Sequence, residues 1–252
     1  MNDLDGWRRR IDEIDQQLVK LLNEYLTAMT DIVFKYEGTL DKYMGDAIMA
    51  IFGAPIDQED HSVRGCNTAL DMIVKLKALQ KQWEQEGKPI IAIGIGLNTG
   101  LMSVGNMGSS LRFDYTVMGD AVNLGSRLEG LNKEYHTNII ISESTYEKAK
   151  HEFFCRELDY ARVKGKMKPV TIYELIGRNG VPEKLRQGVD YFHQGLTYYR
   201  RQDWDKAEEM FQRAVEVNPD DQTASLYLDR CRACGTANLP SDWDGVYVCE
   251  TK

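Results

Sequence analysis

Helix-period and strand-period segments alternate along residues 8–177, and then the alternation stops. This limits the chain to an α/β or α+β domain with a helical appendage. Apolar residues at Ile11, Ile14, Leu18, Leu21, Leu22, Tyr25, Met29 and Ile32 keep the i, i+3, i+4 spacing of one long helix over 8–36. Gly38 ends it. Residues 39–45 and 47–52 then read as a hairpin whose turn holds Gly45-Asp46. Asp60 is placed to cap a second helix, with Val63, Cys66, Leu70, Ile73, Leu76 and Trp83 on its inner stripe and Gly87 as its stop. Residues 90–100 and 114–117 read as strands, 119–134 as a helix and 138–142 as a strand. Ser142 caps a short helix, and 153–163 with 170–177 form a closing strand pair.

After Gly177 the composition shifts. GRNGVPE (177–183) reads as a linker. Beyond it Tyr191, Gly195, Tyr198, Ala207, Phe211, Ala214 and Pro219 fall at the spacing of a tetratricopeptide repeat, with Gln194 where that repeat usually has Leu. One repeat and a following helix cannot bury a core alone. The tail is therefore expected to dock on the first domain or on another chain. Trp243 and Tyr247 imply that the last stretch lies on a surface. The expected domains are 1–178, 179–236 and a tail at 237–252.

A net charge of −8 argues against broad binding to nucleic acid or to an anionic membrane. No apolar run is long enough to span a bilayer. Arg8, Arg9 and Arg10 precede an amphipathic helix rather than the apolar core of a signal peptide. The five cysteines are odd in number and scattered, which fits a reducing compartment. Cys231 and Cys234 read as two ordinary helix positions rather than as half of a metal site.

Chemistry concentrates at two places. Asp46, at the tip of a turn between two apolar strands, is either a good turn residue or a metal ligand. Asn123 and Arg127 are i, i+4 and share a helix face, where an amide and a guanidinium can hold a ribose oxygen and a phosphate. The plain alternative for Arg127 is a surface salt bridge with Glu129 or Glu134.

Four long motifs in order carry a family resemblance: LLNEYLTAMTDIVFKYEGTLDKYMGDAIMAIFGAP, GIGLNTGLMSVGNMGS, RFDYTVMGDAVNLGSRLEGLNK and VKGKMKPVTIYEL. Through them the chain resembles the catalytic domain of class III nucleotidyl cyclases, of the bacterial adenylate cyclase kind, over about residues 18–178. The resemblance implies an α+β, ferredoxin-like fold with a mixed, mostly antiparallel sheet and flanking helices, followed here by a small helical hairpin. It implies ATP as substrate, cyclic AMP and pyrophosphate as products, Mg²⁺ or Mn²⁺ (two per site) as cofactor, and a homodimer with shared sites. By the same resemblance Asp46 is a metal ligand, and Lys42 and Thr116 read the adenine. Asn123 orients the ribose, Arg127 stabilises charge on the reacting phosphate, and Lys164 holds the terminal phosphates.

DLDGW (3–7) resembles the family's first metal motif and makes Asp3 the other metal ligand. The strand that leads into that motif has no counterpart, so a central strand is expected to be missing and a pairing edge exposed. WRRRIDEIDQQLVKLLNE also resembles the first helix of an AroQ-type chorismate mutase, which implies a helical start. The tail and the final DWDGVYV resemble the ends of bacterial cyclases with membrane helices upstream, so a cytoplasmic setting is expected, including that of the cytoplasmic part of an anchored parent. The competing expectations are an ATP-binding, dimerising module impaired in catalysis, and an adaptor acting through its tail.

Overall fold

In the computed structural model, residues 4–161, 170–236 and Trp243 are described. Asp3, Lys164, Tyr247 and Cys249 lie outside that set. The chain forms two compact units, residues 1–92 with 104–117, and residues 93–103 with 118–252.

The first unit is built on α1 (Leu4–Lys35) and α2 (His61–Gln85). The expected apolar stripe of α1 divides in two. Leu21, Tyr25, Met29 and Val33 are buried, whereas Trp7, Ile11, Ile14 and Leu18 are exposed. Burial starts where α2 begins to cover α1, and the Trp83 indole N–H donates to Glu24 Oε2 at 3.1 Å across that seam. On α2 the inner stripe runs through Cys66, Ala69, Leu70, Met72, Leu76, Leu79 and Trp83, so Val63 and Ile73 fall to its flank. Asp60 precedes the helix without capping it, because its carboxylate accepts from Arg64 Nε at 2.7 Å instead.

Between these helices β1 (Thr39–Met44) and β2 (Ala47–Ile51) form the expected hairpin. Gly45 takes φ +67°, a conformation open to glycine and costly for most side chains, which lets two residues close the turn. A second hydrogen-bonded pair, β4 (Ser103–Gly108) with β5 (Phe113–Met118), includes one strand that the sequence reading passed over.

The second unit holds a four-stranded sheet in the order β3-β6-β8-β7. β3 (Ile95–Leu97) runs parallel to β6 (Ile139–Ser142), while β8 (Val170–Arg178) runs antiparallel to both β6 and β7 (Phe153–Ala161). β3 is much shorter than the run expected at 90–100. Among the described residues β3 and β7 are the edges of this sheet. α3 (Asp120–Tyr135) and α4 (Glu143–Ala149) flank it, and Ser142 caps α4 as expected, its hydroxyl accepting from the Thr145 N–H.

Three further helices, α5 (Glu183–Arg200), α6 (Trp204–Val217) and α7 (Gln222–Thr236), complete this unit. They settle where the tail docks. Phe192, Leu196, Phe211, Tyr227 and Cys231 join Leu124, Leu128, Ile140, Leu158 and Ile172 in one buried cluster. Polar groups fix the register. Tyr227 Oη donates to the Leu158 carbonyl at 2.7 Å, and Thr223 Oγ1 donates to the Tyr135 carbonyl at 2.7 Å. The buried Arg156 bridges Glu174 and Asp221, each at 2.6 Å, and Arg230 meets Asp159 at 3.1 Å. Buried charges persist only when paired in this way. Trp243 meets Tyr199 edge-on and Trp204 at a tilt, with ring centroids 5.4 and 5.5 Å apart. Cys231 is buried and Cys234 half-buried; both are free, and the Cys234 thiol lies 3.9 Å from Tyr199 Oη.

One contact in this seam responds to pH. The Glu157 amide donates to His193 Nε2 at 3.0 Å, so the imidazole must be neutral there. Burial holds its pKa below the ordinary 6.5. The unfolded chain takes up a proton near 6.5 that the folded chain resists, so stability present above that value is lost as pH falls through it. The melting temperature should drop on acidification from pH 7 to 5. His193→Gln, whose carbonyl can accept the same amide, should flatten that slope in a calorimetric pH series.

Candidate active site

The five described candidates divide between the units: Lys42, Asp46 and Thr116 in the first, Asn123 and Arg127 in the second. In the first unit, Asp46 sits exposed at the tip of the β1–β2 turn. Its charge is felt below, where burial first and the Asp46 carboxylate second push the Tyr25 phenol up to about 12. Among the described residues no group of three His, Cys, Asp or Glu side chains could hold a metal. One carboxylate still suits Mg²⁺ when substrate phosphates and water fill the remaining positions, which is how that ion is usually held.

Lys42 and Thr116 come together through a residue the sequence reading missed. Thr116 Oγ1 donates to Asp41 Oδ2 at 2.6 Å. Lys42 Nζ lies 3.4 Å from Asp41 Oδ1, close enough for an ion pair though not aligned as a hydrogen bond. The Asp41 side chain is fully buried, while that of Lys42 is 40% exposed. The ladder explains this burial. Leu40 pairs with Ala50 and Lys42 with Met49, so Asp41 is the extra residue of a β-bulge. A bulge re-aims the side chain it carries.

In the second unit, Leu124, Leu128, Leu131 and Tyr135 bury one stripe of α3. Asn123 and Arg127 stand one residue ahead of two of these, about 100° around the helix and on a common face. Asn123 is exposed and Arg127 half-buried. The salt bridge weighed for Arg127 does not form among the described residues. Glu134 instead pairs with Arg230 at 3.9 Å, and Arg127 Nη1 is buried without a hydrogen-bond partner among the described residues.

Both ends of α3 are pinned to β3 and the residues after it. Asn98 Nδ2 donates to the Ala121 carbonyl at 2.7 Å, and Asn132 Nδ2 donates to the Ile95 carbonyl at 3.1 Å. Between them Gly96 lets the helix approach, because a Cβ there would stand 2.2 Å from the Gly125 carbonyl oxygen and 2.3 Å from the Glu129 nitrogen. These are backbone atoms and cannot swing aside. Gly96→Ala should therefore cost about 1–3 kcal/mol, the range for overpacking, and lower activity with it. Thermal unfolding and turnover of the same preparation test this.

Asp3 and Lys164 fall outside the described residues. α1 already runs as helix from Leu4, so residues 5–7 of DLDGW are helical rather than the strand and loop of a metal motif.

Residues 3–177 match the family described as Adenylate and Guanylate cyclase catalytic domain, and residues 190–221 match the tetratricopeptide repeat. The chain is 38% identical over 178 residues to an adenylate cyclase of Anabaena cylindrica, covering 69% of this chain and 35% of that protein. It spans about a third or less of the length of the first curated relatives it matches. Its fold is similar to the adenylyl cyclase CyaB from P. aeruginosa, with a TM-score of 0.61, 37% identity, and coverage of 66% of this chain and 86% of that one. It is also similar to the guanylyl cyclase Cya2, with a TM-score of 0.59, 35% identity, and coverage of 66% and 83%.

Proposed function

We propose that this chain, which belongs to the adenylate and guanylate cyclase catalytic domain family, converts ATP to 3′,5′-cyclic AMP and pyrophosphate. The observation that carries the reading is on α3: Asn123 and Arg127 share a face, and Arg127 keeps a buried Nη1 that has no hydrogen-bond partner among the described residues. A desolvated guanidinium N–H without a partner is costly unless a substrate oxygen completes it.

The residues divide the work. Asn123 holds the ribose so that its 3′-oxygen faces the α-phosphorus. Arg127 donates to the phosphate oxygens as charge builds in the in-line displacement, and Lys164 takes the terminal phosphates. Lys42 and Thr116 read the base, and their identity supports ATP over GTP. Asp46, with Asp3, would hold Mg²⁺ or Mn²⁺, which when bound supplies charge neutralisation and a more acidic 3′-hydroxyl. We read the active form as a homodimer, in which one protomer gives the carboxylate of each site and its partner gives the base-reading, ribose and phosphate groups.

Purified protein incubated with Mn²⁺ and ATP should yield cyclic AMP, and with GTP far less cyclic GMP. No product at high protein concentration would overturn the reading. Equal mixing of Asp46→Asn and Arg127→Ala proteins should restore roughly a quarter of the wild-type sites, since half of the dimers are mixed and each of those carries one intact site. A strictly additive, inactive mixture argues against shared sites.

The helical start of α1 favours a second reading, a cyclase-fold module that binds ATP and dimerises without turnover. ATP-dependent thermal stabilisation with no cyclic AMP marks that case. Among the described residues no helix is long and apolar enough to cross a membrane.

A further inference from the structure

The buried Asp41 carboxylate sits on a bulge between two base-reading residues, and neither composition nor hairpin geometry requires it there. A fully buried carboxylate whose Oδ1 makes no hydrogen bond among the described residues is costly to keep. Its Oδ2 is spent on the Thr116 hydroxyl, a partner 75 residues away in sequence, at 2.6 Å.

We infer that Asp41 is the positioning residue that sets nucleotide preference, by fixing the polarity of the Thr116 hydroxyl. The inference rests on the ATP reading above. A threonine hydroxyl has one proton and two lone pairs, and its rotor normally turns to suit its partner. Thr116 Oγ1 is the donor in the short bond to Asp41 Oδ2, so its proton is committed to Asp41. The hydroxyl then meets a nucleotide as an acceptor. Adenine offers the N6 amino group as donor, whereas guanine offers the O6 acceptor. A committed hydroxyl welcomes the first and sets lone pair against lone pair with the second. Lys42, only a donor, holds the other carboxylate oxygen at 3.4 Å and so fixes which oxygen faces Thr116. The bulge makes the arrangement possible, because in an unbroken strand Asp41 would point to the face opposite its neighbours Leu40 and Lys42.

Asp41→Asn tests this at constant shape. The Lys42 ammonium should draw the amide carbonyl to itself and leave the NH₂ facing Thr116. The hydroxyl would then accept from the amide and turn its own proton toward the base. The ATP-to-GTP ratio of kcat/KM should fall at least about tenfold, the scale on which a mispaired polar contact discriminates. In a Thr116→Val background the same Asp41→Asn change should leave the ratio unmoved, because no hydroxyl remains to reverse. An unchanged ratio in the single variant overturns the inference, as does an equal fall in the Thr116→Val background, which would place the effect on Lys42 or on packing. Equilibrium binding of ATP and GTP gives the same ratio if the wild type makes no cyclic AMP. Failure of the cyclase reading is thus seen in the wild type and failure of the Asp41 inference in the variants. Absence of binding by either nucleotide to the wild type overturns both.

Discussion

Arg127→Ala should lower kcat by about 10²–10³-fold, the cost of removing one aimed donor from a developing oxyanion. It should leave the melting temperature nearly unchanged. A structural arginine loses its ion pair on truncation and takes stability with it. Arg127 has no hydrogen bond at Nη1 among the described residues, and its stem lies beside the buried leucine stripe rather than within it. Removing the side chain therefore takes away little that holds the fold. KM for ATP should move less than kcat, because charge on the phosphate oxygens grows toward the transition state. Arg127→Lys should recover only part of the loss, since an ammonium cannot reproduce the planar fork. Steady-state kinetics beside a thermal melt give both quantities. A fall in stability as large as the fall in activity would return Arg127 to a structural role.

The second large effect is expected at the hairpin tip. Asp46→Asn should abolish metal-dependent turnover by a thousandfold or more, because a bound divalent ion contributes several kcal/mol of charge stabilisation and each 1.36 kcal/mol is a factor of ten. The exposed turn itself should fold as before, since Asn is as good a turn residue as Asp. Raising Mn²⁺ should recover part of the rate if weakened binding is the cause, and a Mn²⁺ titration of the variant reads this. An internal control comes from Tyr25. The Asp46 charge is the second cause of its raised pKa, so the ultraviolet titration of that phenol should move down from about 12 while burial keeps it above 10. A Tyr25 pKa that stays put would mean that the carboxylate and the phenol are not neighbours in solution.

Periodicity made much of this legible. The helix read at 119–134 lies within a residue of α3 at each end, and the i, i+4 spacing on it gave the shared face of Asn123 and Arg127. Gly45-Asp46 between apolar runs placed the hairpin. β4 escaped because SVGNMG has two glycines and no clean alternation, and its pairing with β5 decides its conformation more than its own composition does. Asp41 escaped for a different reason. Beside Lys42 it reads as ordinary surface charge, and only the one-residue register shift against β2 turns it inward. Long-range partners were equally out of reach. Asp60 caps by type but prefers Arg64, and Arg230 finds Asp159 from 71 residues away.

The shared core of the last three helices and the sheet has a mechanical consequence. Leu124 and Leu128 of α3 sit in the same cluster as Phe192, Phe211 and Tyr227, and Thr223 grips the last turn of α3. The repeat is thus a strut under the Arg127 helix rather than a handle hung from it. A chain cut after residue 178 to isolate a minimal enzyme would lay bare an oily wall, and a pull on the repeat would be felt along the helix that carries Arg127.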